Sequence, residues 1–254
     1  MDEEVEAIEC AAFEAWPAAE VRSLAGWRLR FNHGVTQRGN SVWTGIEPVV
    51  PDDLGDRMEA VESFYGERNR PAIFQISPWA AAGGLDRELA ARGYESASPV
   101  FVQSAACAPV AARPVATGRE AGCDATPTPD WIDLTTRRGR YAAGAADVFL
   151  QMLDRLGERA GFAWAADREG PAASGLVVLA PPWAGIFAMR TLEDRRERGL
   201  GAALLTAMAR WARGRGVTQL YLQVEQDNPA ALGLYAGAGF VTRYPYHCRR
   251  GPAG

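Results

Sequence analysis

The sequence predicts an α/β protein of two domains. Three observations carry this expectation. Strands alternate with helices through the second half, a proline-rich stretch without periodicity divides the chain, and the two halves share a weak internal repeat. With 254 residues the chain is long enough for one large domain or two of ordinary size. Hydrophobic residues make up 48% and charged residues 23%, the balance of a globular protein. No apolar run reaches the roughly 18 residues of a membrane span. The start, Met1-Asp2-Glu3-Glu4, is acidic where a secretory or transit peptide would be basic, so a cytoplasmic location is expected.

The first half reads as a helix over residues 2–15, with acids in its first turn. Strands follow at Trp27 to Phe31 and Ser41 to Ile46, joined through Asn32, His33 and Gly34. Helical spacing returns over 52–68 through Leu54, Met58, Val61 and Tyr65, with Asp52 or Asp53 as cap. Ala72 to Ser77 is a short strand, Leu85 to Ala91 a short helix ending at Gly93, and Pro99 to Ser104 another strand. Pro109, Pro114, Pro127 and Pro129 then fall among small residues, the composition of a linker. The division is therefore 1–113, a linker at 114–125, and 126–254. In the second half a helix is expected from Ala145 to Ala160, and strands at Phe162–Ala166, Gly175–Ala180 and Gly185–Leu192. A helix from Gly199 to about Arg213, a strand from Val217 to Glu225, a helix from Pro229 to Ala236 and a strand from Phe240 to His247 complete it. Aligning Gly93-Tyr94 with Gly239-Phe240 sets Leu89 opposite Tyr235 and brings Phe74-Gln75-Ile76 near Leu222-Gln223-Val224.

Charge divides along the same line. All 27 basic side chains are arginine. Residues 1–113 carry 10 Arg against 17 acids, and residues 126–254 carry 16 Arg against 12 acids. A polyanionic ligand therefore belongs to the second half. Nucleic acid is a poor partner, because the chain is acidic overall and neither half has a basic stripe with interleaved aromatics. Cys10, Cys107, Cys123 and Cys248 match no metal-ligand spacing, so no metal is expected.

The most specific stretch is Arg195-Arg196-Glu197-Arg198-Gly199-Leu200-Gly201-Ala202, between a strand and a long apolar helix. Glycines at a helix start let backbone N–H groups approach an anion, and the helix dipole favours negative charge there. Arginines nearby add charge-assisted bonds to phosphate. An ordinary glycine turn with exposed arginines would look similar. A dinucleotide fingerprint fits poorly, since Leu204 occupies the third glycine position and a charged loop separates strand from glycine. A mononucleotide P-loop needs a lysine, and there is none.

Beyond the loop come Leu220-Tyr221-Leu222-Gln223-Val224 and then Asn228-x-x-Ala231-x-x-x-Tyr235-x-x-x-Gly239-Phe240. Over roughly residues 130–250 this order resembles the GNAT superfamily of acyl-CoA-dependent N-acyltransferases. The resemblance implies two GNAT-like domains, each a twisted mixed β-sheet flanked by helices. It implies acetyl-CoA as acyl-donor substrate and a small-molecule or peptide amine as acceptor, while the charge pattern and the lack of a long apolar run lead to no nucleic acid and no membrane as expected partners. The strand end Met189, Arg190 and Thr191 would offer backbone groups to the pantetheine arm and thioester. Glu197, Arg198, Gly199, Leu200, Gly201 and Ala202 would hold the pyrophosphate through backbone N–H groups. Asn228 matches the family asparagine that contacts the cofactor, and Tyr235 the tyrosine that protonates the leaving thiolate.

One position departs from many relatives. Gln223 stands where they place a glutamate base, and an amide cannot usefully accept the amine proton. Glu193, Glu225 and a water relay remain as candidates. Gln223 also leaves open a non-catalytic CoA-binding module. The first half, with Gly26-Trp27-Arg28-Leu29-Arg30-Phe31 and Arg38-Gly39-Asn40-Ser41-Val42, resembles the leading copy of tandem GNAT proteins. It lacks the glycine-arginine loop and carries Leu89 at the tyrosine position, so it is expected to do no chemistry and to serve as an acceptor-side wall or lid. Arg30, Arg38 and Asn40 face either the acceptor or solvent. The acidic balance of this half is compatible with a cationic acceptor.

Overall fold

The computed structural model describes residues 3–46, 52–137, 141 and 144–252, so Met1 and Asp2 of the acidic start lie outside it. In chain order the elements begin α1 (Glu3–Glu14), β1 (Glu20–Leu24), β2 (Trp27–Phe31), β3 (Val42–Trp43), α2 (Leu54–Gly66) and β4 (Ile73–Ile76). They continue α3 (Pro78–Ala82), α4 (Leu85–Ala91), β5 (Glu95–Ala106), α5 (Cys107–Ala112), β6 (Glu120–Asp124) and α6 (Pro129–Ile132), followed by a π-helical turn over Asp133–Arg137. Last come α7 (Ala145–Asp154), β7 (Ala160–Asp167), β8 (Gly170–Ala180), β9 (Trp183–Thr191), α8 (Leu200–Arg213), β10 (Gln219–Glu225), α9 (Pro229–Gly237) and β11 (Val241–Arg250).

Two compact units emerge. The first comprises Met1–Glu9, Trp16–Phe101 and Tyr244–Gly254, and the second Cys10–Ala15 and Val102–Arg243. In the first unit β1–β2 and β2–β3 pair antiparallel, β3–β4 parallel, and β4 antiparallel with the C-terminal part of β11. This mixed sheet buries Trp27, Leu29, Val42 and Phe74 against Met58, Val61 and Phe64 of α2 and Leu85 and Leu89 of α4. The last strand of the chain therefore completes a unit built mainly from the first half. In the second unit β6, β7, β8 and β9 form an antiparallel meander, and α8 carries the chain over to β10, parallel to β9. A parallel neighbour requires such a crossover.

The proline-bearing stretch from Pro109 to Pro129 holds α5 and β6, of which β6 falls within the linker expected at 114–125. Pro109 sits in the first turn of α5, where its missing N–H costs no helical bond. In β6, Gly122 lies under the Trp164 indole, which an added Cβ would meet at 2.8 Å. Small residues there serve packing rather than flexibility. The helix expected to reach Ala160 ends at Asp154, and Gly157, at φ +55, begins a 3-10 turn that L side chains would strain to follow.

The internal repeat is visible in how two helices end. Gly93 and Gly239 have φ of +83 and +94, and each donates to the carbonyl three residues back, Ala90 and Ala236, at 3.0 Å. Tyr94 and Phe240 each donate five residues back, to Leu89 and Tyr235, at 3.0 Å. Both are Schellman caps with a buried aromatic at the following residue. They set Leu89 and Tyr235 at equivalent positions.

Candidate active site

The site is assembled by a break in β9. Opposite β8, Ser174 pairs with Arg190 and Leu176 with Phe187, so Ala188 and Met189 together oppose Gly175. This is a β-bulge, with Ala188 at φ +49. The Gly175 carbonyl accepts from Trp131 Nε1 at 2.9 Å, and Trp131 is fully buried. A buried carbonyl left unmet would cost about 1–3 kcal/mol. On its other side β9 pairs with β10 from Trp183↔Gln219 to Ile186↔Leu222, while both strands run on past the ladder. Met189, Arg190 and Thr191 occupy that continuation of β9.

The loop leading to α8 has Glu197 at φ +61 and Gly199 at φ +81. Gly199 is the N-cap, and no side chain caps the helix. Successive N–H groups around positive-φ residues form an anion-binding concavity, reinforced by the helix dipole. An added Cβ on Gly199 would meet nothing within 4 Å, so the requirement there is conformational. Gly201 differs. Its Cβ would come within 3.0 Å of Leu234 Cδ2, so glycine at 201 lets α9 pack against the start of α8.

Arg195 and Arg198 are committed to the protein. Arg195 bonds Asp167 at 2.6 Å and Glu169 at 3.0 Å, and Arg198 bonds Glu169 at 2.9 Å. The Arg198 carbonyl accepts from Arg119 Nε at 2.8 Å. Asp167 also accepts the Glu169 N–H, and this bond, with the nearby arginines, holds its carboxyl below the ordinary carboxylate range. The two guanidinium groups thus tether the loop to the β7–β8 turn. Arg196 is more exposed, 4.0 Å from Glu193. Sequence spacing does not reveal this tether, because Asp167 and Glu169 lie far upstream of the loop. The one local sign is an acidic pair beside Gly170.

Asn228 is the N-cap of α9, its Oδ1 accepting from the Ala231 N–H at 3.0 Å. That bond leaves the side-chain amide NH₂ as donor. The helix it starts delivers Tyr235, which is 8% exposed and whose hydroxyl donates to Met189 Sδ at 3.6 Å. Two residues 46 positions apart, singled out for the same thioester, therefore meet at the bulge. Burial pushes the Tyr235 phenol up to about 12. It stays protonated at neutral pH and acts as a donor.

Neither carboxylate considered as base is sequestered. Glu193 is 92% exposed in the turn after β9, and Glu225 is exposed at the end of β10. In the first unit Arg30 and Asn40 are buried rather than exposed to solvent. Arg30 Nη2 donates to Ser41 Oγ, and the Tyr65 hydroxyl to the Arg30 carbonyl. Asn40 accepts from the N–H groups of Asn32 and Gly34 and donates to the carbonyls of Val35 and Thr36, closing the loop around itself. Arg38 lies over the Trp16 ring. All four cysteines are free, and among the described residues no cluster of three or more His, Cys, Asp or Glu is placed to hold a metal. Among the described residues no helix is long and apolar enough to cross a membrane.

Known proteins share this architecture. The family model described as "Probable histone acetyltransferase Rv0428c C-terminal" matches residues 3–249. The "Uncharacterized N-acetyltransferase YobR" of Bacillus subtilis (strain 168) is 30% identical over 248 residues, covering 97% of this chain and 98% of that one. Among solved structures, a "GCN5-related N-acetyltransferase from Kribbella flavida" superposes with a TM-score of 0.74 at 14% identity, over 99% of this chain and 95% of that one. A "Tandem GNAT protein from the clavulanic acid biosynthesis pathway" does so with a TM-score of 0.63 at 15% identity, over 100% and 96%. With its bulged strand, uncapped helix start and buried tyrosine, the chain belongs to the Rv0428c C-terminal acetyltransferase family, and its fold is that of GNAT structures, a tandem GNAT protein among them.

Proposed function

We propose that this protein transfers an acetyl group from acetyl-CoA directly to a primary amine, with the chemistry carried by residues 126–254 and residues 1–113 as a degenerate copy. The observation that carries this reading is the contact of the Tyr235 hydroxyl with Met189 at the β9 bulge. The uncapped start of α8 fits a pyrophosphate.

Acetyl-CoA supplies an acetyl group activated as a thioester. Backbone N–H groups from Glu197 to Ala202 hold its pyrophosphate, and the amide of Asn228 adds a donor. Met189, Arg190 and Thr191 offer main-chain groups to the pantetheine arm and the carbonyl oxygen, where fixed donors stabilise developing negative charge. In the transfer the N–C bond forms, the C–S bond breaks, and the amine's proton ends on sulfur. A phenol at about 12 is a weaker acid than a cysteine-like thiol of about 8.5, so Tyr235 acts mainly by hydrogen bonding the departing sulfur. Gln223 cannot take the amine proton, which leaves Glu193, Glu225 or a water relay.

Gln223 also favours a second reading, a CoA-binding module without turnover. Thiol release from acetyl-CoA separates the two. Release that depends on added primary amine, with the acetylated amine detected by mass spectrometry, is the expected result. Binding of acetyl-CoA with no release above the amine-free rate across amino acids, polyamines and aminoglycosides would make it a binding module.

A further inference from the structure

Strand register assigns the side chains around the bulge to two faces. Thr135, in the π-helical turn, donates to Ser174 Oγ at 3.0 Å, so Ser174 faces that turn. A Cβ on the neighbouring Gly175 would meet Leu204 and Met208, so the opposite face belongs to α8. Residues directly opposite across a ladder share a face, and alternate residues return to it. Arg190 pairs with Ser174, Phe187 with Leu176 and Gly185 with Val178, so all three face away from α8. Gly185 pairs in turn with Tyr221 of β10, which places Tyr221, Gln223 and Glu225 on that same face. Met189 meets Tyr235 from the other.

Arg190 stands apart from the three arginines of the loop that follows it. Arg195, Arg196 and Arg198 all have carboxylate partners. Arg190 is half-buried, and its Nε is fully buried without a hydrogen-bond partner among the described residues. A buried guanidinium nitrogen left unsatisfied is costly, which points to an anion brought by a ligand.

We propose that the Arg190 side chain binds the carboxylate of the acceptor, and that the acceptor is an amino acid, a small primary amine bearing a carboxylate close to the nitrogen. This rests on the acetyl-transfer reading and names the acceptor class of that site. Tyr235 marks the side from which sulfur departs, and the amine enters from the opposite face, beyond the end of the β9–β10 ladder. There Arg190 matches an anionic group, while Gln223 and Glu225 offer polar and acidic partners to an amine. A guanidinium binds a carboxylate through paired N–H···O bonds, which also fixes the nitrogen's direction.

The test compares glycine, alanine and phenylalanine, each with its carboxamide, as acceptors for wild type and Arg190→Gln. Acetyl-CoA affinity is titrated on both proteins. Wild type should prefer the acids over the carboxamides by about 100-fold in kcat/KM, the cost of leaving one member of a desolvated charge pair unmatched. In Arg190→Gln that preference should fall to within about 3-fold, through KM, with acetyl-CoA affinity unchanged. Equal use of acid and carboxamide by wild type, no use of any of the three acids, or a preference that survives in Arg190→Gln would overturn the proposal. So would a loss in the variant that follows weakened acetyl-CoA binding. Failure of wild type to bind acetyl-CoA would instead overturn the acetyl-transfer reading beneath it.

Discussion

Tyr235→Phe should lower kcat by about 100- to 1,000-fold and leave acetyl-CoA affinity within about two-fold of wild type. The substitution removes one hydroxyl. The ring keeps its place against Phe240, 5.9 Å between centroids, and the Schellman cap below it depends on backbone atoms alone. The bond lost in the free protein is to a thioether, a weak acceptor, so stability should barely change. In the proposed transfer the hydroxyl serves when negative charge collects on the departing sulfur, and a loss confined to that moment appears in kcat. Steady-state thiol release with parallel acetyl-CoA titration separates the two parameters. Undiminished turnover in Tyr235→Phe would make the residue a packing aromatic.

Ending the chain after Arg243 should abolish cooperative unfolding of the first unit. The segment removed pairs with β4 from His247↔Ile76 to Arg250↔Ile73 and supplies the buried Tyr244 and Cys248. Tyr244 donates to the Glu9 carboxylate at 2.6 Å, and burial already raises the pKa of that carboxyl. Asp86 accepts from Arg249 Nε at 2.7 Å and lies 2.8 Å from His247 Nε2. Truncation strips Glu9 of a bond and Asp86 of both partners, and opens the edge of β4. The buried Glu9 carboxyl left unmet costs about 1–3 kcal/mol, the partly exposed Asp86 less, and the lost apolar burial and β4 pairing add to it. The total is comparable with the roughly 5–15 kcal/mol that stabilises a whole domain. Urea unfolding followed by tryptophan fluorescence, with limited proteolysis, measures the effect. Protease-sensitive sites should appear within residues 16–101. An unchanged transition and proteolytic pattern would show that β11 is dispensable to the unit.

What could be read in advance was what is local. Helix α4 falls where its spacing and Gly93 put it, and α8 and α9 start within a residue of expectation, because caps and periodicity act over a few positions. The two Schellman ends were legible as a repeated glycine-aromatic pair for the same reason. What escaped depends on partners distant in sequence. Strand β6 has no alternation to betray it, since Gly122 is shaped by Trp164. The exchange of β11 into the first unit is set by its pairing with β4, which no window contains. At the site, the residue types were legible and their partners were not. The tether of the Arg198 side chain to Glu169 and the approach of Leu234 to Gly201 both involve residues far away in the sequence. Net charge over residues 1–113 pointed to a cationic acceptor, whereas Arg190 beside the bulge favours an acceptor with a carboxylate. A single charge at the reacting centre acts at short range, and a domain's net charge is screened over about 10 Å.

The most direct measurement is calorimetric titration of acetyl-CoA into wild type, Gly199→Asn and Gly199→Asp. Both side chains find open space at Gly199 and share the strain of a positive φ, so they differ in charge alone. If the start of α8 holds the pyrophosphate, wild type should bind with micromolar Kd, Gly199→Asn about 10-fold more weakly and Gly199→Asp at least about 100-fold more weakly. No binding to wild type, or equal binding to all three, would contradict a cofactor site at this loop.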